Sequence, residues 1–231
     1  REPEIEDLSN CLIKMGAKIE GHGTKTILVQ GVTKLKKAEH EIISDRIVAG
    51  TYIIAALMLN SVLEINNFNT IYLKSLIDIL KKMGAKLKVS KNSIKVFKGS
   101  KLKSSSLSTS PYPGFPTDLQ AQLMSLMCIS DGKSKIKETI FENRFMHVPE
   151  LNRLGANITV EKDTATIIGN QTFKGAQVMA SDLRASISLV LAAMNANGQT
   201  TLNRVYHLDR GYENIEKTLG SLGAKIKRQK N

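Results

Sequence analysis

The sequence predicts an α/β (α+β) fold made of βαβαββ units packed about a pseudo-threefold axis. Three observations predict it: a helix-ending phrase recurs four times, a hydroxyl–aspartate pair precedes three apolar helices, and β-rich segments alternate with these helices. One such unit is too small to bury both of its faces. We therefore expect the helices of successive units to pack together around a shared axis.

The helix-ending phrase contains a glycine that we predict to be a C-cap. The phrase reads MGAK twice, then LGAN and LGAK, and its glycines are spaced 68, 71 and 68 residues apart: Gly16, Gly84, Gly155 and Gly223. Each glycine ends an amphipathic run and precedes a β-rich one. This pattern is typical of a glycine in the left-handed conformation that ends a helix before a strand.

The hydroxyl–aspartate pairs mark the start of the other helix in each unit. They are Ser44–Asp45, Thr117–Asp118 and Ser181–Asp182, and their aspartates precede the next glycine cap by 39, 37 and 41 residues. Free backbone N–H groups and the helix dipole favour an acid at the start of a helix. Helix capping alone would therefore explain these pairs.

The remaining elements complete the unit. Strands are predicted at VLEIN, KSKIKE and QTTLNR, between the two helices, and turns at GHGT, KNS and KDT follow the glycine caps. The first cap, Gly16, has no helix–strand half before it. Because repeat symmetry places that half upstream of Arg1, we expect the chain to be the C-terminal portion of a longer protein.

Composition bears on partners and location. The chain has 33 basic and 21 acidic side chains, a net charge of +12, which by itself would suggest a nucleic-acid binder. We expect no nucleic-acid partner, because the excess is mostly lysine and the densest basic stretch, 81–103, has Phe97 as its one aromatic residue. No apolar run is long enough to span a membrane. Cys11 and Cys128 form no CxxC pattern, so we expect them to be core residues of a protein in a reducing, cytoplasmic location. The four histidines are scattered along the chain and give no support for a metal site.

Asp118 is the strongest candidate for a catalytic group. The preceding SPYPGFP carries three of the chain's five prolines, which stiffen the approach to the helix and can fix a carboxylate in place, as a general base requires. Three arginines lie at element boundaries of this lysine-rich chain: Arg144, Arg184 and Arg210. Their planar guanidinium groups suit bidentate binding of a phosphate or carboxylate, and ordinary surface arginines are the alternative.

Around these candidate residues the sequence resembles the UDP-N-acetylglucosamine enolpyruvyl transferase family. The matching segments cover essentially the whole chain: REPEIEDL, SDRIVAGTYIIAA, FPTDLQAQ, TIFENRFMHVPEL, GAQVMASDLRAS and YHLDRGYENIEKTLGSLGA. The resemblance implies an inside-out α/β barrel, with three βαβαββ units in each of two domains. Residues 1–43 would be the tail of the first domain and residues 44–231 most of the second. The family's second domain also includes a strand and helix from the extreme N-terminus of the complete protein.

The resemblance also implies roles for individual residues. Asp118 matches the aspartate that contacts the sugar nucleotide and is proposed to deprotonate its hydroxyl, and Ile140 matches a position whose backbone contacts that nucleotide. The other matches to substrate-site positions are Arg144, Arg184, Arg210, Asp45 and Asp182, with Arg210 associated with phosphoenolpyruvate. The family's catalytic cysteine loop and a Lys-Asn pair have no counterpart in this chain. We therefore expect the chain alone to be inactive.

The implied activity is transfer of the enolpyruvyl group of phosphoenolpyruvate to the 3-hydroxyl of UDP-N-acetylglucosamine, with release of phosphate, in peptidoglycan synthesis. It requires no metal or other cofactor. The implied partners are the two substrates and the missing N-terminal part of the same enzyme. A shikimate-pathway enolpyruvyl transferase and a non-catalytic binding module are the alternatives, and FPTDLQAQ and FENRFMHVPEL favour the sugar-nucleotide enzyme.

Overall fold

The computed structural model describes residues 1–229, which contain seven α-helices and eleven strands. The helices are α1 (Pro3–Lys14), α2 (Arg46–Met58), α3 (Lys74–Lys82), α4 (Gln120–Ile129), α5 (Val148–Arg153), α6 (Leu183–Asn195) and α7 (Ile215–Ser221). The strands are β1 (Lys18–Glu20), β2 (Leu28–Gln30), β3 (Leu63–Asn66), β4 (Leu87–Val89), β5 (Ser93–Val96), β6 (Leu107–Ser108), β7 (Lys133–Lys137), β8 (Asn157–Glu161), β9 (Thr164–Ile168), β10 (Gln177–Met179) and β11 (Thr201–Asn203). Short 3-10 helices lie at Thr70–Leu73, Thr117–Leu119 and Val205–Arg210.

Helices α2, α4 and α6, one from each unit, pack against one another at the centre of the molecule. Every residue of α4 from Gln120 to Cys128 is buried, and the side chains of Leu123 and Leu126 have no exposed surface. Burying a side chain of this size contributes about 1.5–3 kcal/mol to folding. The packing of the helices around a shared axis, predicted from the repeat, is therefore confirmed.

Each unit contributes one sheet. The strand orders are β3-β5-β4, β6-β7-β9-β8 and β10-β11. Strand β6 pairs in parallel with β7, and β10 with β11, while the other pairs of these sheets are antiparallel. The second unit thus has the full predicted order, β6-α4-β7-α5-β8-β9, and its sheet is mixed, as predicted. The sheet of the first unit is wholly antiparallel, and that of the third is one parallel pair.

The four glycines predicted to end helices do so. Their φ angles are +99° at Gly16, +97° at Gly84, +102° at Gly155 and +97° at Gly223. At Gly84 the cap is closed by two backbone hydrogen bonds, because Gly84 N–H donates to Lys81 C=O and Ala85 N–H donates to Leu80 C=O, each at 2.9 Å. The same pair of bonds closes the other three caps. A side chain with a Cβ atom is strained at such a φ, which explains the glycine at every repeat.

In the two larger sheets, the second strand after the glycine cap is an interior strand with fully buried side chains. Ile94 and Val96 of β5 have no exposed surface, and neither do Ala165 and Ile167 of β9. The third unit has no such strand within the described residues, since β11 pairs with β10 alone and the residues that follow Gly223 form no strand up to residue 229.

A groove of about 480 Å³ lies beside α6 and α7 of this third unit, and α2 forms its opposite wall. We call it the seam groove. Its lining is mostly apolar and includes Tyr52, Leu59, Val62, Ala193, Leu219 and Leu222.

Residues 1–43 form α1 and an antiparallel hairpin of β1 and β2. An ion pair and a hydrogen bond stabilise this segment. Glu4 binds Arg46 at the start of α2, with its carboxylate oxygens 2.8 and 3.2 Å from Nε and Nη2, and Asp7 Oδ1 lies within hydrogen-bond distance of His40 Nε2, at 2.9 Å. Several of its large apolar side chains are exposed: Ile5, Leu8, Ile27, Leu28 and Val29.

Cys128 has the environment expected of a core position, whereas Cys11 does not. Cys128 is fully buried in α4, where burial raises the pKa of its thiol to about 12, and Cys11 is half-buried on α1. A thiol with so high a pKa is a poor nucleophile at neutral pH. Among residues 1–229, no helix has the length and apolar character needed to cross a membrane.

Candidate active site

Asp118, Arg144 and Arg184 meet where three segments of the chain converge. Asp118 lies in the 3-10 helix that precedes α4, Arg144 in the loop after β7, and Arg184 in the first turn of α6. One carboxylate oxygen of Asp118 is 2.8 Å from Arg144 Nη2, and the other is 3.0 Å from Arg184 Nη2. Three residues predicted separately from the sequence thus form one cluster, which we call the Asp–Arg cluster.

The three helix-start aspartates do not share one role. Asp45 accepts hydrogen bonds from the backbone N–H groups of Ile47 and Val48 at 2.8 and 2.9 Å, so it caps α2. Asp182 caps α6 in the same way through Arg184 and Ala185. Asp118 caps no helix, so the capping alternative does not hold for it: the N-cap residue of its 3-10 helix is Pro116, and the carboxylate binds the two arginines instead.

The pKa of the Asp118 carboxyl is lowered by its neighbours. Partial burial raises this pKa, but the hydrogen bond and charge of Arg184, together with the charges of Arg144 and Arg46, outweigh the burial. Burial conversely lowers the pKa of Arg184, and the hydrogen bond and charge of Asp118 raise it above its ordinary value. Asp118 is therefore a carboxylate at neutral pH.

This lowered pKa predicts how the stability contributed by Asp118 depends on pH. A carboxyl whose pKa is lower in the folded state stabilises the fold above its unfolded pKa of about 3.9, and the contribution is lost as the pH falls through the folded value. We expect the difference in unfolding free energy between the wild type and Asp118→Asn to be constant from about pH 7 to pH 5 and to shrink below about pH 4. Denaturant unfolding at a series of pH values measures this difference. A difference that stays constant down to pH 2.5 would contradict the lowered pKa.

Arg144 is held by its loop as well as by Asp118. Its guanidinium carbon lies 5.1 Å from the centre of the Phe141 ring, within cation–π range. Its Nε is buried and donates no hydrogen bond to the described residues. The backbone N–H of Ile140, in the same loop, donates to Glu138 Oε1 at 2.8 Å. Only the carbonyl of Ile140 therefore remains for the predicted backbone contact with a ligand.

Arg210 lies apart from the Asp–Arg cluster. It is the last residue of the 3-10 helix Val205–Arg210, is exposed, and forms no ion pair with residues 1–229. The chain just after Arg210 is nevertheless anchored, because the Tyr212 hydroxyl lies 2.8 Å from Thr51 Oγ1 on α2. Thr51 Oγ1 also accepts a hydrogen bond from Gln122 Nε2 on α4, at 3.2 Å. The structure therefore does not bring Arg210 into contact with the other predicted site residues.

Three neighbours of the cluster were not predicted. Arg46 is buried, binds Glu4, and adds a positive charge near Asp118. It follows Asp45 directly, so the criterion that selected Arg184 could have found it. Glu138 is buried beneath the Ile140 loop, and no sequence pattern marks it.

The third neighbour is His147. It is buried, and burial together with the charge of Arg144 lowers its pKa to about 4 against the opposing charge of Asp182. His147 is therefore neutral at pH 7.

The cluster is suited to binding an anionic ligand that carries a hydroxyl group. Two guanidinium groups can bind phosphate or carboxylate oxygens, and the carboxylate between them can accept a hydrogen bond from the hydroxyl. Within residues 1–229, no group of three or more His, Cys, Asp or Glu side chains is arranged to hold a metal ion.

Comparison with known proteins shows extensive similarity. The family model described as EPSP synthase (3-phosphoshikimate 1-carboxyvinyltransferase) matches residues 1–219. A UDP-N-acetylglucosamine 1-carboxyvinyltransferase of Pelagibacter ubique is 52% identical over 227 residues, which is 98% of this chain and 54% of the relative. A protein of the same name from Azorhizobium caulinodans is 53% identical over 229 residues, 99% of this chain and 53% of the relative. The chain thus spans about half the length of the curated relatives it matches.

Solved structures have the same fold. The enolpyruvyl transferase NikO from Streptomyces tendae superimposes with a TM-score of 0.89 at 29% identity, covering 98% of this chain and 55% of that one. EPSP synthase from Acinetobacter baumannii superimposes with a TM-score of 0.75 at 18% identity, covering 96% of this chain and 55% of that one, which shows the fold alone. With the family model matched over residues 1–219, the chain belongs to the EPSP synthase family of 1-carboxyvinyltransferases, the enolpyruvyl transferases.

Proposed function

We propose that the complete protein transfers the enolpyruvyl group of phosphoenolpyruvate to the 3-hydroxyl of UDP-N-acetylglucosamine in the cytoplasm, as a step of peptidoglycan synthesis. The observation that carries the proposal is the Asp–Arg cluster, in which one carboxylate lies between two arginines. The names of the relatives that are 52% and 53% identical support this acceptor over other alcohols.

The reaction adds the sugar hydroxyl across the double bond of phosphoenolpyruvate, so that the oxygen bonds to C2 and a proton is added to C3. The resulting tetrahedral ketal then loses phosphate from C2 and a proton from C3, which restores the double bond. The reaction needs an acceptor for the hydroxyl proton and cationic groups for the phosphate and carboxylate. Asp118 supplies the acceptor, and Arg144 and Arg184 supply cations. While both arginines hold Asp118, it is a weak base. An anionic substrate that draws one guanidinium away raises the basicity of the carboxylate when the hydroxyl is present.

The other predicted site residues have supporting roles. Arg210 binds phosphoenolpyruvate, since its guanidinium is exposed and unpaired within the described chain. Ile140 contacts the sugar nucleotide through its backbone carbonyl. Asp45 and Asp182 fix the N-termini of α2 and α6 and so hold Arg46 and Arg184, in the first turns of these helices, near Asp118. In this arrangement the two aspartates act on substrate through the helices that they cap.

The protein requires more than this chain. Residues 1–43 are the tail of a first domain and residues 44–231 most of a second, and the exposed apolar side chains around α1 and β2 are covered by the rest of the first domain. The seam groove receives a strand from the N-terminal part of the same enzyme. The two larger sheets support this, because each has an interior strand after its glycine cap with fully buried side chains, where the third unit has none in the described residues.

An assay with two acceptors tests the proposed function. The full-length protein from the same gene, supplied with phosphoenolpyruvate, is expected to release phosphate with UDP-N-acetylglucosamine and not with shikimate 3-phosphate. The present chain, which forms only one side of the site, is expected to release none, because half a cleft cannot exclude water from the reaction. Release with shikimate 3-phosphate alone would replace this function with that of EPSP synthase. If phosphate is released with neither acceptor, the protein is a non-catalytic binding module.

A further inference from the structure

Glu138 is a buried carboxylate that accepts four hydrogen bonds. It is 4% exposed and lies directly after β7. Its Oε1 accepts from Thr109 Oγ1 at 2.7 Å and from the backbone N–H groups of Ile140 and Phe141 at 2.8 and 3.3 Å. Its Oε2 accepts from Thr117 Oγ1 at 2.9 Å. Four donors thus surround the carboxylate, and Oε1, which accepts from three of them, has no acceptor position left.

Three of these four donors belong to the segments that carry Asp118 and Arg144. Thr117 is the residue directly before Asp118, in the same 3-10 helix. Ile140 and Phe141 begin the loop that carries Arg144, and the Phe141 ring lies against the guanidinium of Arg144. Thr109 comes directly after β6, which pairs in parallel with β7, so Thr109 and Glu138 leave the sheet at the same edge.

We propose that Glu138 is a positioning residue, which sets the placement of Asp118 relative to Arg144 by holding Thr117 and the Ile140–Phe141 backbone on one carboxylate. The expected effect of this positioning on turnover rests on the proposed function. The placement of Asp118 against Arg144 does not depend on the identity of the substrate.

The energetic argument is one of buried polar groups. A buried carboxylate is costly unless donors surround it, and a buried backbone N–H needs an acceptor. If the Ile140 loop or the 3-10 helix moved, Glu138 would lose a donor in a place that water does not reach. The two segments therefore move together or not at all. Such a restraint matters for a reaction, because an error of about 1 Å in placing reacting groups can lower the rate by up to about 10²-fold.

Thr117→Val in the full-length enzyme tests the proposal, because valine has the shape of threonine and lacks its hydroxyl. We expect kcat to fall about 10-fold with a smaller change in KM for phosphoenolpyruvate. We also expect the pKa of Asp118, followed by NMR of its carboxyl carbon, to rise towards the ordinary value, because Arg144 is no longer held against it. This titration needs no turnover, so it is informative even if the proposed function fails the two-acceptor assay.

Two further variants separate positioning from stability. Thr117→Ser restores the hydroxyl and should recover both kcat and the pKa of Asp118. Thr70→Val removes another buried threonine hydroxyl, which donates to Ser90 C=O at 2.7 Å away from the cluster, and should change neither. If Thr117→Val leaves both kcat and the pKa of Asp118 unchanged, Glu138 does not position the cluster. The same conclusion follows if Thr117→Ser fails to restore them, or if Thr70→Val lowers kcat equally.

Discussion

Replacing Asp118 with asparagine in the full-length protein is expected to lower turnover by roughly 10²–10⁴-fold, the usual effect of removing a positioned acid–base group. The protein should remain folded, because Asp118 caps no helix and asparagine has nearly the same shape. Binding of UDP-N-acetylglucosamine should weaken less than turnover, since the amide oxygen still accepts a hydrogen bond. A steady-state assay with a thermal melt on the same sample measures both effects.

Asp163→Asn is the matched control for this substitution. Asp163 is an exposed aspartate that pairs with Lys137 at 3.4 Å, on the hairpin between β8 and β9, so the same chemical change is made away from the cluster. Wild-type turnover is expected. If Asp118→Asn also turned over at the wild-type rate, Asp118 would be neither the base nor an essential contact of the substrate.

Ala193→Leu is expected to destabilise the full-length protein by about 1–3 kcal/mol, the usual cost of overpacking a filled core. In the present chain the same change should be close to neutral or slightly stabilising. Ala193 lines the seam groove, which is open here and which we propose is filled by a strand in the complete protein. Denaturant unfolding of both proteins, with and without the substitution, measures the two effects.

Ala165→Leu provides the control for this pair of measurements. Ala165 has no exposed surface and belongs to β9, an interior strand of the second unit, which is present in both proteins. Overpacking at Ala165 should therefore destabilise both proteins alike. Equal effects of Ala193→Leu in the two proteins would mean that no segment fills the groove.

Local sequence patterns predicted most of the fold. The four glycine caps and the strands β3, β7 and β11 could be predicted because a left-handed glycine and an alternating β-run are properties of a few neighbouring residues. The role of Asp118 could not be assigned in this way. Asp45 and Asp182 each accept from backbone N–H groups in the first turn of their own helix. Asp118 does not, because the chain continues from Pro116 into a 3-10 helix in which Asp118 is already the second residue.

Only those site residues that have a local sequence signal could be predicted. Arg144 and Arg184 stood out because they lie at element boundaries of a chain that otherwise uses lysine. Their common partner is 26 residues from Arg144 and 66 from Arg184, so only the tertiary fold shows that they meet at Asp118. Glu138 has donors 29 and 21 residues away, at Thr109 and Thr117, and nothing in its neighbouring sequence distinguishes it from a surface acid.

The unpaired side of β11 has a practical consequence for this chain as a separate molecule. Strand β11 is bonded to β10 on one side, and along its other side no strand of residues 1–229 satisfies its backbone groups. A free sheet edge of this kind is a template for strands of other molecules. At high concentration, such chains can join edge to edge and aggregate. Co-expression with the polypeptide that completes the third sheet would remove this template and should favour a monodisperse sample.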